Sequence, residues 1–425
     1  MNKTNYPLLV ELFNQVIIGK EDLFEIINRV LPQKVSTHDE KLIISTVLGA
    51  TIRHYYLFRN VFNLYFKEAD NRIFAAAALT YSDLYFSHKL GEKSLIISEF
   101  LIYAESIEQL ESAKSIIEYF GEKKPFDILE TEFRSKSLMQ YFSIRFNIPD
   151  WIIRMWAKQY GKNLSYKIIK NVSVKAPRYI KKNDVLTDSN FKLDATLYKP
   201  LPDVKDVYEY IGKDNLKKIN DNVFSKIYVT NLLDNEVVEN LDQSYADSIV
   251  LYFYDKPNIY LDLLNKFRDN NRISIMTNSF QFSNKVTENV KRIKSKGFSN
   301  IYVGECTTDV LEAQVSKNAN IVILYAKSSN FNYIQGSPEY FINFDQSTLS
   351  SIIEQEKKDL DNCSKFVAIG GDMVYITQTL NKKENELLIQ EFLDNNNSFV
   401  LDSEKTFLPA TSKMIGYFAK LTRIK

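Results

Sequence analysis

From residue 248 onward, short apolar β-prone runs alternate with segments of helical period. This alternation limits the fold more than any other property of the sequence. The runs are SIVLYF at 248–253, RISIMT at 272–277, NIYVG at 300–304, NIVILYA at 320–326 and MVYITQ at 373–378. Helices fit 259–268, 283–296, 308–317 and 347–362, with Gly297 as a helix C-cap. Strands that alternate with helices build a parallel, doubly wound sheet. The expected α/β domain covers 246–425.

The first 142 residues carry a different period. Ile43, Ile44, Val47, Leu48, Thr51 and Tyr55 fall on one helical stripe. Thr37 or Asp39 is placed to cap that helix, and NRIFAAAAL at 71–79 forms another. A helical bundle over 1–142 is expected, followed by a linker and a small mixed subdomain over 143–245. Pro149 suits a helix start, where its missing N–H costs little, and Asp150 adds favourable charge there. Trp151 and Trp156 read as packing residues. Strands fit 206–211 and 223–230, and Asp234–Val238 reads as a turn leading into a strand.

The formal charge is only +1 over 425 residues, so no global basicity points to nucleic acid. One stretch departs from that balance. Residues 151–183 hold Arg154, Lys158, Lys162, Lys167, Lys170, Lys175, Arg178, Lys181 and Lys182, with no Asp or Glu. Tyr160, Tyr166 and Tyr179 are interleaved. Spaced cations with aromatics suit a phosphate backbone and unstacked bases, whereas a solvated lysine face is the plainer reading. With two cysteines and three histidines the chain assembles no local Cys/His metal site and no disulfide framework. Free thiols suit a reducing cytoplasm. No signal peptide or 18-residue apolar span is found, so a membrane is not expected.

Residues 370–385, GGDMVYITQTLNKKEN, have the form of an active site without a nucleophile. A Gly-Gly turn leads into an apolar strand that ends on Gln378. An amide is neither a nucleophile nor a proton-transfer group at neutral pH. The tract resembles the RsmB/Nop/Sun family of rRNA cytosine-C5 methyltransferases, where the strand end is typically Thr-Cys-Ser followed by Glu-Asn. The resemblance implies S-adenosylmethionine as methyl donor and a cysteine that attacks C6 of cytosine. Glu384-Asn385 keep the family spacing, and Gln378 takes the cysteine's position. The family's Asp-Ala-Pro-Cys-Ser corresponds to Tyr325-Ala326-Lys327-Ser328-Ser329, so Ser328 takes the second cysteine's position. Ser337-Pro338-Glu339 and Gln355 support that register. The Gly-rich cofactor turn is replaced by Tyr254-Asp255-Lys256-Pro257, with Leu251 at the strand's acidic position and bulky Phe253 and Tyr254 nearby. Asn278 is the candidate at the ribose position. Cys306 and Cys363 match neither motif and read as buried packing thiols.

The resemblance extends to HDEKLIISTVLGATIRHYYLFR at 38–59, similar to the signature helix of NusB-like domains, and to Pro149 and Trp151. Gly416–Leu421 resembles the family's final strand. The family's RNA-contacting subdomain begins near the basic stretch, where Arg178-Tyr179-Ile180 stands for its Arg-Val-Asn strand. The family helix that precedes the first α/β strand finds no match in ENLDQSYAD. The expected fold is an α+β multidomain chain: a NusB-like bundle, a small RNA-contacting subdomain and a Rossmann-like domain of the class I methyltransferase type. The expected function is binding of rRNA or a ribosomal particle by a catalytically inactive, monomeric homologue. No cofactor, catalytic residue or metal is assigned. The expected RNA contacts are Lys162, Lys167, Lys170, Lys175, Arg178, Lys181 and Lys182. Two alternatives stay open: an active S-adenosylmethionine-dependent rRNA methyltransferase with atypical residues, and a protein–protein scaffold.

Overall fold

A computed structural model describes residues 5–134, 137–174, 176–187, 190–212, 226–242, 244, 246–253, 258–267, 272–277, 280–294, 300–305, 318–409 and 414–425. The chain forms two compact units. One is built from residues up to 175 with Tyr333–Asp345, the other from 176–332 with 346–425. The sequence places boundaries at 142/143 and 245/246 instead. The helices Asp150–Tyr160 and Lys162–Val172 stay with the bundle because they pack onto Leu138–Phe146: the Phe142 and Tyr166 rings lie 5.1 Å apart. The expected linker and basic stretch is therefore divided between the two units.

In the first unit the helix Asn71–Ser82 is the centre. Every residue from Ile73 to Ser82 is buried. Four consecutive alanines explain this, because their small side chains let neighbours approach on all sides. Asp70 caps the helix by accepting from Arg72 N. Thr37, not Asp39, caps His38–Arg53 by accepting from Glu40 N. Ile44, Val47, Leu48 and Thr51 of the expected stripe are buried there. Asn147, at φ 56°, ends Leu138–Phe146, and its amide ties Tyr56 N at 3.0 Å and Ile52 O at 2.9 Å.

The second unit holds two sheets. β1 (Tyr179–Lys182), β2 (Tyr198–Pro200), β3 (Val207–Tyr210) and β4 (Ile227–Thr230) form an antiparallel sheet in the order β2-β3-β1-β4. β5 (Ser248–Phe253), β6 (Arg272–Thr277), β7 (Ile301–Glu305), β8 (Ala319–Tyr325), β9 (Val367–Thr377), β10 (Phe399–Phe407) and β11 (Gly416–Arg423) form the larger one, in the order β10-β11-β9-β8-β5-β6-β7. The strands from β5 to β9 pair in parallel, and β11 runs antiparallel to both β9 and β10. Alternate residues feed opposite faces, as a pleat requires. Leu251, Ile275, Ile323 and Val374 join the core that includes Ile259 and Leu263. Val250, Met276, Val322 and Tyr375 join the core that includes Leu360, Cys363 and Leu388. The doubly wound expectation is met, and Cys363 is a buried packing thiol. Cys306 and the helix expected at 308–317 lie outside the described residues. Gly371 is required by close approach: a Cβ there would meet Asn320 O at 2.8 Å.

Two expectations are corrected. Leu232–Glu239 is a helix, not a turn and strand, because Asn231 caps it by accepting from Leu233 N at 2.9 Å. It lies ahead of β5. Glu386–Asn395 and β10 were also not expected. Both are short, and β10 is exposed along Val400–Lys405, so it shows no buried alternation.

Glu356, on the helix Leu349–Ser364, is fully buried, and neither carboxylate oxygen has a well-formed hydrogen bond. Burial, then the nearby Glu384 carboxylate, pushes its pKa well above the ordinary 4.5. A raised folded-state pKa gives a contribution that is complete below the unfolded value and is lost as pH rises through the folded one. Asp234 and Glu384 titrate in the same direction, so the informative quantity is the difference from wild type. Glu356→Gln should be more stable than wild type at pH 7 by about 1–3 kcal/mol. That gain should vanish near pH 4. Urea melts across this range check it, and parallel pH profiles would contradict it.

Candidate functional site

The carboxyl ends of parallel strands are where open α/β sheets place their chemistry. Here β8 ends on Tyr325 and β9 runs into Gln378. The Tyr325 hydroxyl donates to Asp234 Oδ1 at 3.0 Å and accepts from Gln378 Nε2. Gln378 Oε1 accepts from Asn332 Nδ2 at 2.8 Å. The amide is thus held at both ends and is only 9% exposed. Ser328 is equally committed. Its Oγ donates to Asn330 Oδ1 at 2.9 Å and accepts from Gln378 N and Asn330 N, each at 3.3 Å. No described histidine stands beside it to act as base.

Glu384 and Asn385, which keep the family spacing, act as braces. Glu384 is fully buried and accepts from Ser329 N at 2.6 Å, Ser329 Oγ at 2.7 Å and Asn381 Nδ2 at 2.8 Å. It pins the loop after β8 to the loop after β9. Burial raises its pKa, against the lowering effect of those bonds. Asn385 accepts from Thr377 Oγ1 at 2.6 Å and donates to Thr379 O at 3.2 Å.

Behind the strand ends lies a second buried network. Asp262, on the helix Ile259–Lys266, accepts from Tyr228 at 2.7 Å and Thr230 at 3.1 Å, and pairs with Lys181 at 3.2 Å. Lys181 also donates to Asn235 Oδ1 at 2.7 Å. Burial raises the pKa of Asp262, and Lys181 opposes that. Burial, and then Asp262, hold Asp234 well above the usual carboxylate range. Sequence reasoning missed both acids, because a lone Asp in LLDNEVV or IYLDLLNK carries no motif.

The proposed RNA contacts separate by position. Lys162, Lys167 and Lys170 are exposed on one helix of the first unit. Arg178 and Lys182 are half-buried in the second, where Lys182 sits 5.7 Å from the centre of the Tyr208 ring. Lys175 lies outside the described residues. Lys181 is a correction: its ammonium is buried in the Asp262 network and cannot meet a phosphate. Trp156 is fully buried beside Phe341, as packing requires. At the expected cofactor end, Phe253 and Thr277 are sealed into the core. Residues 254–257 and 278–279, which include Tyr254 and Asn278, lie outside the described residues. Among the described residues no group of three or more His, Cys, Asp or Glu could hold a metal, and no helix is long and apolar enough to cross a membrane.

No family model matches the chain. Over 119 residues it is 28% identical to the ribosomal RNA small subunit methyltransferase F of Escherichia coli O1:K1 / APEC, covering 28% of this chain and 25% of that protein. The match therefore spans about a quarter of that relative's length. The crystal structure of PH0851 superposes with a TM-score of 0.75 at 14% identity, over 99% of this chain and 100% of that one. NSun6 from Pyrococcus horikoshii with SFG gives a TM-score of 0.51 at 14% identity, over 65% and 98%. The resemblance to rRNA methyltransferases of the RsmB/Nop/Sun type is borne out, and so is the Rossmann-like fold with a helical N-terminal region. The expectation of no cofactor is corrected. The Escherichia coli relative is named a methyltransferase and NSun6 was solved with SFG, which speaks against that expectation.

The two adjacent lysines of β1 should respond differently to mutation. Lys181→Ala leaves a buried carboxylate without its cation and should cost about 3–5 kcal/mol. Lys182→Ala should stay within about 0.5 kcal/mol of wild type. Equal urea midpoints for the two variants would contradict the buried pair.

Proposed function

We propose that this chain is an RNA-binding protein of the rRNA methyltransferase type that does not perform cysteine-dependent C5 transfer. One observation carries the reading. The position where the resemblance places the nucleophile holds an amide bonded at both ends, Gln378 between Tyr325 and Asn332. Nucleophilic attack on a pyrimidine needs a thiolate or an activated equivalent. Ser328, its hydroxyl committed to Asn330, does not supply one. S-adenosylmethionine, when bound, offers a methyl group to a nucleophilic carbon. Binding it and completing C5 transfer are separate requirements, and only the second needs the missing cysteine. No described residue is assigned to hold the cofactor.

In this reading the helical unit is NusB-like and the protein acts as a cytoplasmic monomer on rRNA or a ribosomal particle, in ribosome biogenesis. The relatives' rRNA substrate supports RNA as the partner, and the exposed Lys162, Lys167 and Lys170 supply charge for a phosphate backbone.

RNA carrying 5-fluorocytosine traps a C6 adduct wherever a nucleophile is present. The protein should bind this RNA and form no covalent adduct in the presence of S-adenosylmethionine. A crosslink mapped to any residue would make it an active C5 methyltransferase. Changing Lys162, Lys167, Lys170 and Lys182 to Gln should weaken binding and flatten its salt dependence. Each phosphate that is no longer neutralised should lower the log–log slope by roughly 0.7–0.9. Unchanged affinity in a folded variant would remove RNA from the reading and favour a protein scaffold.

A further inference from the structure

Outside the strand ends, the first unit carries a groove of about 790 Å³ between the helices Leu138–Phe146 and Lys162–Val172. Ile153 and Ile169 form its buried floor, and Phe142 and Tyr166 its aromatic wall. Tyr166 is 42% exposed and Leu138 55% exposed, so the wall is open to solvent. The two rings meet at 36°, offering a ledge rather than a closed stack. Lys162, Lys167 and Lys170 also line the groove, and no acidic residue does. Among the described residues none of these three lysines is in an ion pair.

We infer that this groove holds unstacked bases of single-stranded RNA, with Tyr166 as the stacking surface. Lys162 and Lys170 stand four residues before and after Tyr166, so all three share one helix face. The two lysines bracket the ring over about 12 Å of helix axis. An apolar peptide or helix would fill the floor and leave three ammonium groups without partners. A duplex would meet the lysines but could not reach the ring, because its bases are stacked inside. A single strand satisfies both, placing a base on the aromatic face and its flanking phosphates at the cations. The volume is within the roughly 300–1,000 Å³ of sites that enclose small organic groups. Stacking tolerates any base, so the groove selects for strandedness and not for sequence.

The inference rests on the RNA-binding reading and deepens it. Its test uses the full chain and a 12-nucleotide single-stranded RNA carrying 2-aminopurine, with binding read by anisotropy and stacking by quenching of 2-aminopurine fluorescence. Wild type should bind and quench. Tyr166→Ala should lose the quenching and bind roughly 5- to 100-fold more weakly, whereas Tyr166→Phe should keep both. An abasic oligomer should bind wild type as weakly as the intact oligomer binds Tyr166→Ala, and needs no mutant to fold. Equal affinity for abasic and intact oligomers, with no quenching, would overturn the groove while leaving RNA binding in place. Failure of wild type to bind any RNA at low salt would overturn both.

Discussion

The second unit depends on one buried carboxylate. Asp262 takes hydrogen bonds from Tyr228 and Thr230 of β4 and an ion pair from Lys181 of β1. Its own helix, Ile259–Lys266, packs in the core of the larger sheet. The small antiparallel sheet is therefore fixed to the parallel one through a charge that has no access to water. Such a pair contributes little net stability, because desolvation offsets attraction. It does fix which residues face each other, since any other alignment leaves a buried charge unmatched. Burial, and then the same carboxylate, raise the pKa of Asp234, and Asp234 receives the Tyr325 hydroxyl that also meets Gln378. The chemistry available at the strand ends is thus set in part from behind the sheet.

At those ends Gln378, Ser328, Glu384 and Asn385 all have their polar groups in use. Gln378, Ser328 and Glu384 bond between the loops after β8 and β9, and Asn385 braces the end of β9. In an enzyme with a nucleophile at this point, a thiol would have to be free to leave its neighbours and attack. A side-chain amide bonded at both ends is stable for the opposite reason. The family spacing of Glu384-Asn385 is explained by bracing and does not by itself signal catalysis.

The parallel sheet was readable because its strands are apolar runs separated by helices of ordinary length, and β5, β6 and β8 begin and end within a residue of expectation. The helix Leu232–Glu239 was not, because Val237 and Val238 favour a strand and only the Asn231 cap decides otherwise. Lys181 shows the limit for charges. Its neighbours in sequence mark it as one more surface lysine, and its partners, Asn235, Glu239 and Asp262, come from 54 to 81 residues away. Gln378 at the end of β9 was legible because a single position of the resemblance suffices to place it. The groove of the first unit was legible only as lysines and a tyrosine, since its aromatic partner Phe142 belongs to a different helix.

The place of β11 in the sheet affects how the sheet is completed. β9 ends at Thr377, but the strand that pairs with its outer edge starts only at Gly416, after β10. During synthesis at roughly 5–20 residues per second, β9 waits several seconds with unpaired N–H and C=O groups along one side. That edge is apolar from Met373 to Ile376, the kind of surface other chains can join. β10 pairs with β11 and not with β9, so it does not cover that edge. The sheet has a provisional edge that a slow or interrupted ribosome would leave open.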